Sequence, residues 1–361
     1  MRHFFLYGLV LLVSSFFITS CGTTKKTTQL SGRGTDTYEV VSFGFYNFEN
    51  LFDTIDTKDV RDKAFSVDGD LQWNTPKYYE KLSHIARVIS EMGTKNNKDG
   101  LAFFGTAEVE NSSVLDDFVK QPAVAGRHYK YVHYDSPDKR GIDVALLYQE
   151  KYLKVLDSRT YKLTIINKNG HEHPTRDILY VRGELLGEPI HILVNHWPSR
   201  SGGEAKTQPF RNDGAAICKH IADSIMVDNP AAHIVIMGDL NDDPVSPSVK
   251  KVLGAKGDID KVKKKGFYNP WIKIYKNGGG TLAYRDAWSL FDQVILSEGW
   301  LHPKGNGFKF YKAQVYHPKY LLQKTGQYRG YPFRTFAGGK YIGGYSDHFP
   351  VFVSVVRKVD K

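Results

Sequence analysis

Four apolar residues, Ile234-Val235-Ile236-Met237, run without a break into Gly238-Asp239-Leu240-Asn241-Asp242-Asp243-Pro244. The run is apolar without alternation and too short for a helix, so it reads as a buried strand. A sheet must therefore lie inside whatever this chain folds into. Gly238 and Pro244 turn the backbone away, which leaves a carboxylate and an amide, two residues apart, where the strand opens into a loop. On a strand continued by one residue, Asp239 and Asn241 point to the same side. Such a pair can orient a water and contact a phosphoryl oxygen or a metal. It equally describes a strand followed by an Asx turn.

Other strands end in the same way. Residues 40–46 alternate around Val41, Phe43 and Phe45 and stop at Asn47, a metal or phosphate contact or simply a turn former. Residues 101–105 form a second apolar strand leading to Glu108 and Glu110, whose alternation places both acids on one side, either for a hard cation or as a solvated strand end. Arg140 and Arg176 precede strands 144–148 and 178–186; each is suited to a phosphate fork or to a surface ion pair. Strand 190–194 runs into Asn195-His196, strand 292–296 starts on Asp292, and the last strand, 351–356, follows Ser346-Asp347-His348. Helices are expected from Asn74-Thr75-Pro76 to about Glu91, with Tyr78, Leu82, Ile85 and Ile89 on one face, and from about Gln208. Residues 250–276 carry nine Lys against Asp258 and Asp260. Phe267, Tyr268, Trp271 and Tyr275 among them could stack on bases or anchor a core. Residues 299–344 show no resolvable pattern.

Strands gathered in sheets bring such ends to one rim. A set of carboxylates and amides without Cys suits Mg²⁺ or Mn²⁺ rather than structural zinc, and two His with spare carboxylates suit metal-assisted hydrolysis.

The first twenty residues stand apart. Arg2 precedes an almost wholly apolar stretch, and Ile18-Thr19-Ser20-Cys21 resembles a bacterial lipobox, in which the Cys is lipidated after cleavage. The implied organisation is a signal peptide at 1–20, a flexible Thr/Lys/Ser/Gly tether at 21–37 and a body at 38–361, exported and held to the cell envelope through Cys21. Gly22 after the Cys favours the outer membrane. Cys218 then has no partner and reads as an apolar filler. Hydrophobic content of 41% supports a sizeable core. The formal charge of +10 falls to +9 when Arg2 leaves with residues 1–20, which favours polyanionic partners such as nucleic acid.

Across residues 38–361 the chain resembles the endonuclease/exonuclease/phosphatase superfamily, the group of DNase I and the abasic-site endonucleases. Asn47, Glu108, Asn195-His196, Gly238-Asp239-Leu240-Asn241, Asp292 and Ser346-Asp347-His348 occur in the family's order, each at a strand end. The resemblance implies a four-layered α/β sandwich of two mostly antiparallel sheets with helices outside. It implies Glu108 as principal metal ligand, with Asn47 and Asp347 close to the metal. Asp239 would orient or deprotonate the attacking water, and Asn241 would contact the phosphate. His348, held by Asp292, would stabilise the phosphorane or act as base, and His196 would contact phosphate or assist the leaving group. Asn195-His196-Trp197-Pro198-Ser199 is similar to a stretch in secreted bacterial nucleases and adds Asn195 to the substrate-binding residues, with Arg140 and Arg176. Ala107 stands where relatives often have Gln. The implied activity is Mg²⁺- or Mn²⁺-dependent cleavage of DNA or RNA by a monomer. The same fold also serves sphingomyelinase-like, inositol-phosphatase-like and nucleotide phosphatases, and a third possibility is a lipoprotein that only binds.

Overall fold

The computed structural model describes residues 29–31, 37–166 and 170–359. Among the described residues, two large sheets carry most of the strands, beside three two-stranded hairpins. Across the first run Lys309–Val315, Val351–Val359, Thr37–Leu51, Leu101–Val109, Asp143–Gln149 and Tyr129–His133, with Gln29–Ser31 added against the start of Thr37–Leu51. Across the second run Phe267–Tyr268, Asp292–Ser297, His233–Asp239, Glu188–His196, Ile178–Leu185 and Leu153–Tyr161. Each sheet contains one parallel pair at its centre, Thr37–Leu51 with Leu101–Val109 and Glu188–His196 with His233–Asp239; the other neighbours along both sheets are antiparallel. A parallel pair sends two carboxyl ends to the same edge, and an antiparallel neighbour begins there. This topology assembles the site.

The sheets face each other through Phe43, Phe103, Val194, Val235, Met237 and Trp300, all fully buried. Phe43 and Phe103 stack at 4.6 Å. Each such side chain contributes about 1.5–3 kcal/mol relative to exposure. Gly105 lets the layers close, since a Cβ there would stand 2.8 Å from Met237 Sδ and 2.9 Å from Val194 Cγ1. Helix Thr75–Glu91 covers the outer face of the first sheet with Tyr78, Leu82, Ile85 and Ile89, as the spacing predicts. Asn74 caps it by accepting from Lys77 N at 3.2 Å. Helix Glu204–Asp228 covers the second sheet with Ala215, Cys218, Ile221 and Met226. The order helix, sheet, sheet, helix is the expected four-layered sandwich.

Two expectations change, and one open alternative is decided. The second long helix begins at Glu204, one turn before Gln208, because Thr207 donates through both its N–H and its hydroxyl to Gly203 O at 3.1 and 3.0 Å; Pro209 thus lies inside the helix. In the lysine-rich stretch, Phe267, Tyr268 and Trp271 are buried, and the Trp271 indole donates to Val294 O at 3.0 Å, so these rings anchor the core and do not stack on bases. Within the tether 21–37, Gln29–Ser31 pairs with Thr37–Glu39 as a short strand. Residues 299–344 supply the edge strand Lys309–Val315 and a small hairpin, Phe336–Ala337 with Lys340–Tyr341. The signal-peptide and Cys21 readings lie outside the described residues.

Candidate active site

Asp239 is the centre of the rim. It ends its strand in register with His196 on one side and Asp292 on the other. Gly238 fits beneath it because a Cβ there would lie 2.2 Å from Asn195 O. Asp239 Oδ1 accepts from Asn241 N at 3.0 Å, closing the Asx turn, while Oδ2 accepts from Asn47 Nδ2 at 3.1 Å. His196 Nε2 and His348 Nε2 stand 3.6 and 3.9 Å from the same Oδ2. Asn47, from the first sheet, is thereby joined across the sandwich to the second.

His348 is held from behind. Its Nδ1 donates to Asp292 Oδ2 at 2.7 Å, its backbone N–H to Ser346 Oγ at 3.1 Å, and the Ser346 hydroxyl to Asn47 O at 2.7 Å. Burial alone would lower the pKa of this ring, but the Asp292 and Asp239 carboxylates override it and hold His348 well above the ordinary histidine value. His196 goes the other way: burial, then Arg176, Arg140 and His348, push it well below, so it is a neutral imidazole. Burial raises Asp239 to about 7 against the opposing pull of His348. The site thus sets a proton acceptor beside a charged donor.

Glu108 sits on a β-bulge. Ala107 pairs with Val144 and Val109 with Asp143, leaving Glu108 as the extra residue at φ 61°. A non-glycine residue there costs about 1–3 kcal/mol, which the surrounding sheet must hold in place. The bulge aims the carboxylate over the rim, where Oε2 accepts from Asn50 N at 2.9 Å. Among the described residues Oε1 has no hydrogen-bond donor; Arg140 Nη2 and His196 Nε2 stand at 3.8 and 3.7 Å. A carboxylate oxygen left open on a rim of oxygen donors fits a hard divalent cation, and Mg²⁺ takes only one or two protein carboxylates and keeps several waters. The alternation expected to place Glu110 beside Glu108 is broken by the same bulge. Glu110 instead accepts from Asp53 N and Thr57 Oγ1 at 2.6 and 3.1 Å and closes the 53–57 loop.

Asp347 Oδ1 is 3.9 Å from His348 Nε2, and its Oδ2 accepts from Arg334 Nη2 at 2.6 Å. Arg334 also reaches Glu49 Oε1 at 3.4 Å. Nothing in the patternless segment announces Arg334. It is set beside Asp347 by Phe333 and Tyr345, whose backbones bond to each other.

Three expected contacts are otherwise engaged. Asn195 is fully buried: its amide donates to Leu193 O and Met237 O and accepts from the Trp197 indole and the Cys218 thiol, so it braces the strand and does not face substrate. Arg176 is spent on Asp138 at 2.9 Å and Trp197 O at 2.9 Å. Asn47 turns Nδ2 to Asp239 and accepts from Glu49 N at 2.8 Å through Oδ1, so both ends of its amide are engaged and it positions Asp239. Cys218 is the buried filler its sequence suggests, its thiol raised by burial. Arg140 does reach the rim, donating to Asn50 Oδ1 at 2.6 Å. A separate trio, His133, Asp135 and Asp143, brings its ligand atoms within 4.8 Å, but Asp143 is engaged by His133 Nε2 and Ser136 N and ties down the 134–142 loop.

The loop that carries Asn241 is secured by a buried pair missed in the sequence. Arg211 and Asp242 are both inaccessible and meet at 2.7 Å; Asp242 also accepts from Gln208 and Ser248 at 2.8 and 2.6 Å. Asp242→Ala strands the guanidinium and should cost about 3–5 kcal/mol. Urea denaturation checks this, and a loss below about 1 kcal/mol would show that the pair does not hold the loop.

The chain matches the Endonuclease/Exonuclease/phosphatase family over residues 42–357 and belongs to it. Three solved structures share the fold. An endonuclease/exonuclease/phosphatase family protein from Bacteroides thetaiotaomicron is 15% identical with a TM-score of 0.52, covering 89% of this chain and 96% of its own. A mannosyl-6-phosphatase from the same organism is also 15% identical with a TM-score of 0.52, at 87% and 99% coverage. D. rerio TDP2, complexed with single strand DNA product, is 13% identical with a TM-score of 0.50, at 88% and 98%. No curated protein matches the sequence.

Proposed function

We propose that this protein is a divalent-metal-dependent phosphodiesterase acting on nucleic acid. The observation that carries the proposal is the convergence on Asp239 of Asn47, His196 and the Asp292-supported His348, with the open Glu108 oxygen beside them. Asp239 accepts the proton of the attacking water. His348, charged, directs its Nε2 proton at the phosphoryl oxygen that gains negative charge. Neutral His196 donates a hydrogen bond without adding charge. Asn241 donates to Trp197 O at 2.9 Å, which fixes its amide and leaves one N–H for phosphate. A cation held by Glu108, with Asp347 beside it, would supply charge neutralisation of the phosphate when bound.

The net charge of +10 supports a polyanionic substrate, as does the fold shared with a TDP2 that holds single-strand DNA. The fold shared with a mannosyl-6-phosphatase supports a smaller phosphoester. One panel separates the readings: plasmid DNA, single-stranded RNA, sphingomyelin, inositol phosphates and hexose 6-phosphates, each with Mg²⁺, Mn²⁺ or EDTA. Metal-dependent cleavage of DNA or RNA is expected. Turnover confined to the small esters or the lipid would replace the substrate, and turnover of none would favour a binding protein. Export and a lipid anchor at Cys21 are part of the same proposal, and incorporation of labelled palmitate lost in Cys21→Ala would support them.

A further inference from the structure

A cavity of 590 Å³ opens directly beside the rim, with Asp347 and Arg334 in its wall. Its other walls come from two segments that the catalytic cluster does not use: the hairpin Leu282–Tyr284 with Ala287–Ser289, and the stretch from Gln323 to Ile342. The two are locked together before any ligand arrives. Tyr331 OH accepts from Asp286 N at 2.7 Å and donates to Asp286 Oδ1 at 2.6 Å. Trp288 stacks on Phe349 at 5.9 Å, and Phe349 N donates to Thr281 O at 2.7 Å, so the hairpin is fixed to the residue after His348.

The walls present aromatic surface to solvent. Tyr284 is 68% and Tyr328 50% exposed, although both are large enough to anchor a core. The Arg285 guanidinium lies over the Tyr284 ring at 5.1 Å. Arg285 and Asp286 occupy the hairpin turn at φ 49° and 64°, which places Arg285 at the cavity mouth. Gln323 and Gln327 add amide donors and acceptors. Exposed aromatic faces, neutral amides, Arg285 at the edge and an Arg334 already paired with Asp347 suit a flat ring with hydrogen-bonding edges, joined to phosphates. They do not suit an acyl chain, which would need an apolar tunnel.

We propose that this cavity is a nucleobase subsite: Tyr284 and Tyr328 stack on a base of the strand being cleaved, and Arg285 takes a neighbouring phosphate. The assignment rests on the phosphodiesterase reading and names its substrate class. Binding is the readout that separates the two. The full chain would be titrated with a fluorescent single-stranded oligonucleotide in EDTA, so that nothing is cleaved. Loss of base stacking is expected to weaken binding about ten-fold in Tyr284→Ala/Tyr328→Ala. Arg285→Ala should flatten the salt dependence of binding by about one counterion. Tyr311→Ala, an equally exposed ring on the edge strand, should bind as the wild type. Equal affinity of wild type and double variant would overturn the proposal. So would equal losses in the double variant and Tyr311→Ala, or a loss seen for hexose 6-phosphate and not for the oligonucleotide. Failure of wild-type hydrolysis with Mg²⁺, alongside intact and tyrosine-dependent binding, would sink the phosphodiesterase reading alone.

Discussion

His348→Ala is expected to lower phosphodiester hydrolysis by about three orders of magnitude while leaving the fold in place. The loss corresponds to about 4 kcal/mol of transition-state stabilisation. The size follows from what the ring does at once: it brings positive charge to the phosphoryl oxygen, and it offsets the buried carboxylates of Asp239 and Asp292. The Asp292 partner gives a separate reading of the same mechanism. Asp292→Asn keeps the hydrogen-bonding shape but removes the charge that holds His348 protonated, so a large part of the loss should appear there too. The apolar core is untouched, because the His348 side chain lies on the rim and not between layers, and an unchanged circular dichroism spectrum checks this; the urea midpoint should fall, because the buried Asp292 carboxylate loses its partner. Activity within a factor of ten of wild type in a folded His348→Ala would remove the ring from the mechanism.

Glu108→Gln should act through the cation. The amide keeps the volume, and φ 61° is no harder for Gln than for Glu, so the bulge survives. What is lost is the negative charge at the open Oε1. The Mg²⁺ needed for half-maximal rate is expected to rise on the order of 100-fold, with a lower rate even at saturation. An unchanged Mg²⁺ titration would assign the cation elsewhere, and the His133–Asp135–Asp143 trio would be the place to look. Glu110→Gln, whose carboxylate only closes the 53–57 loop, should leave the titration where it was.

The strands were legible because apolar runs stopped abruptly on polar residues, and each stop fell at the same edge once the strands paired; the sandwich itself followed from the family resemblance that those strand ends carry. Asp239 and His196 end strands, Asp292 begins one and His348 precedes one, so all four lie at strand ends, while their roles follow from the resemblance. Where the rule fails, the cause is local backbone geometry. The bulge at Glu108 breaks the two-residue alternation, so Glu108 and Glu110 part company. Asn195 has a side chain as polar as Asn241, yet one is buried under Trp197 and the other sits at φ 48° on the rim. Residue type does not separate them; the turn does. For Arg176 the sequence does not separate a phosphate fork from an ion pair, because its distance from Asp138 in the chain hides their pairing in space. Arg334 and the tyrosine-lined cavity arise in segments without periodicity, held by hydrogen bonds between loops rather than by strand or helix pattern.

In the proposed mechanism Glu108 and His348 serve one metal-dependent hydrolysis centred on Asp239. Its most direct test is hydrolysis of bis-p-nitrophenyl phosphate by the body from Thr37 onward, with Mg²⁺ and then with EDTA, for wild type, Glu108→Gln and His348→Ala. Wild type is expected to turn over, with EDTA abolishing the reaction and Mg²⁺ restoring it. Glu108→Gln should recover only at high Mg²⁺, and His348→Ala at no concentration. Turnover that persists in EDTA, or in folded His348→Ala, would contradict it.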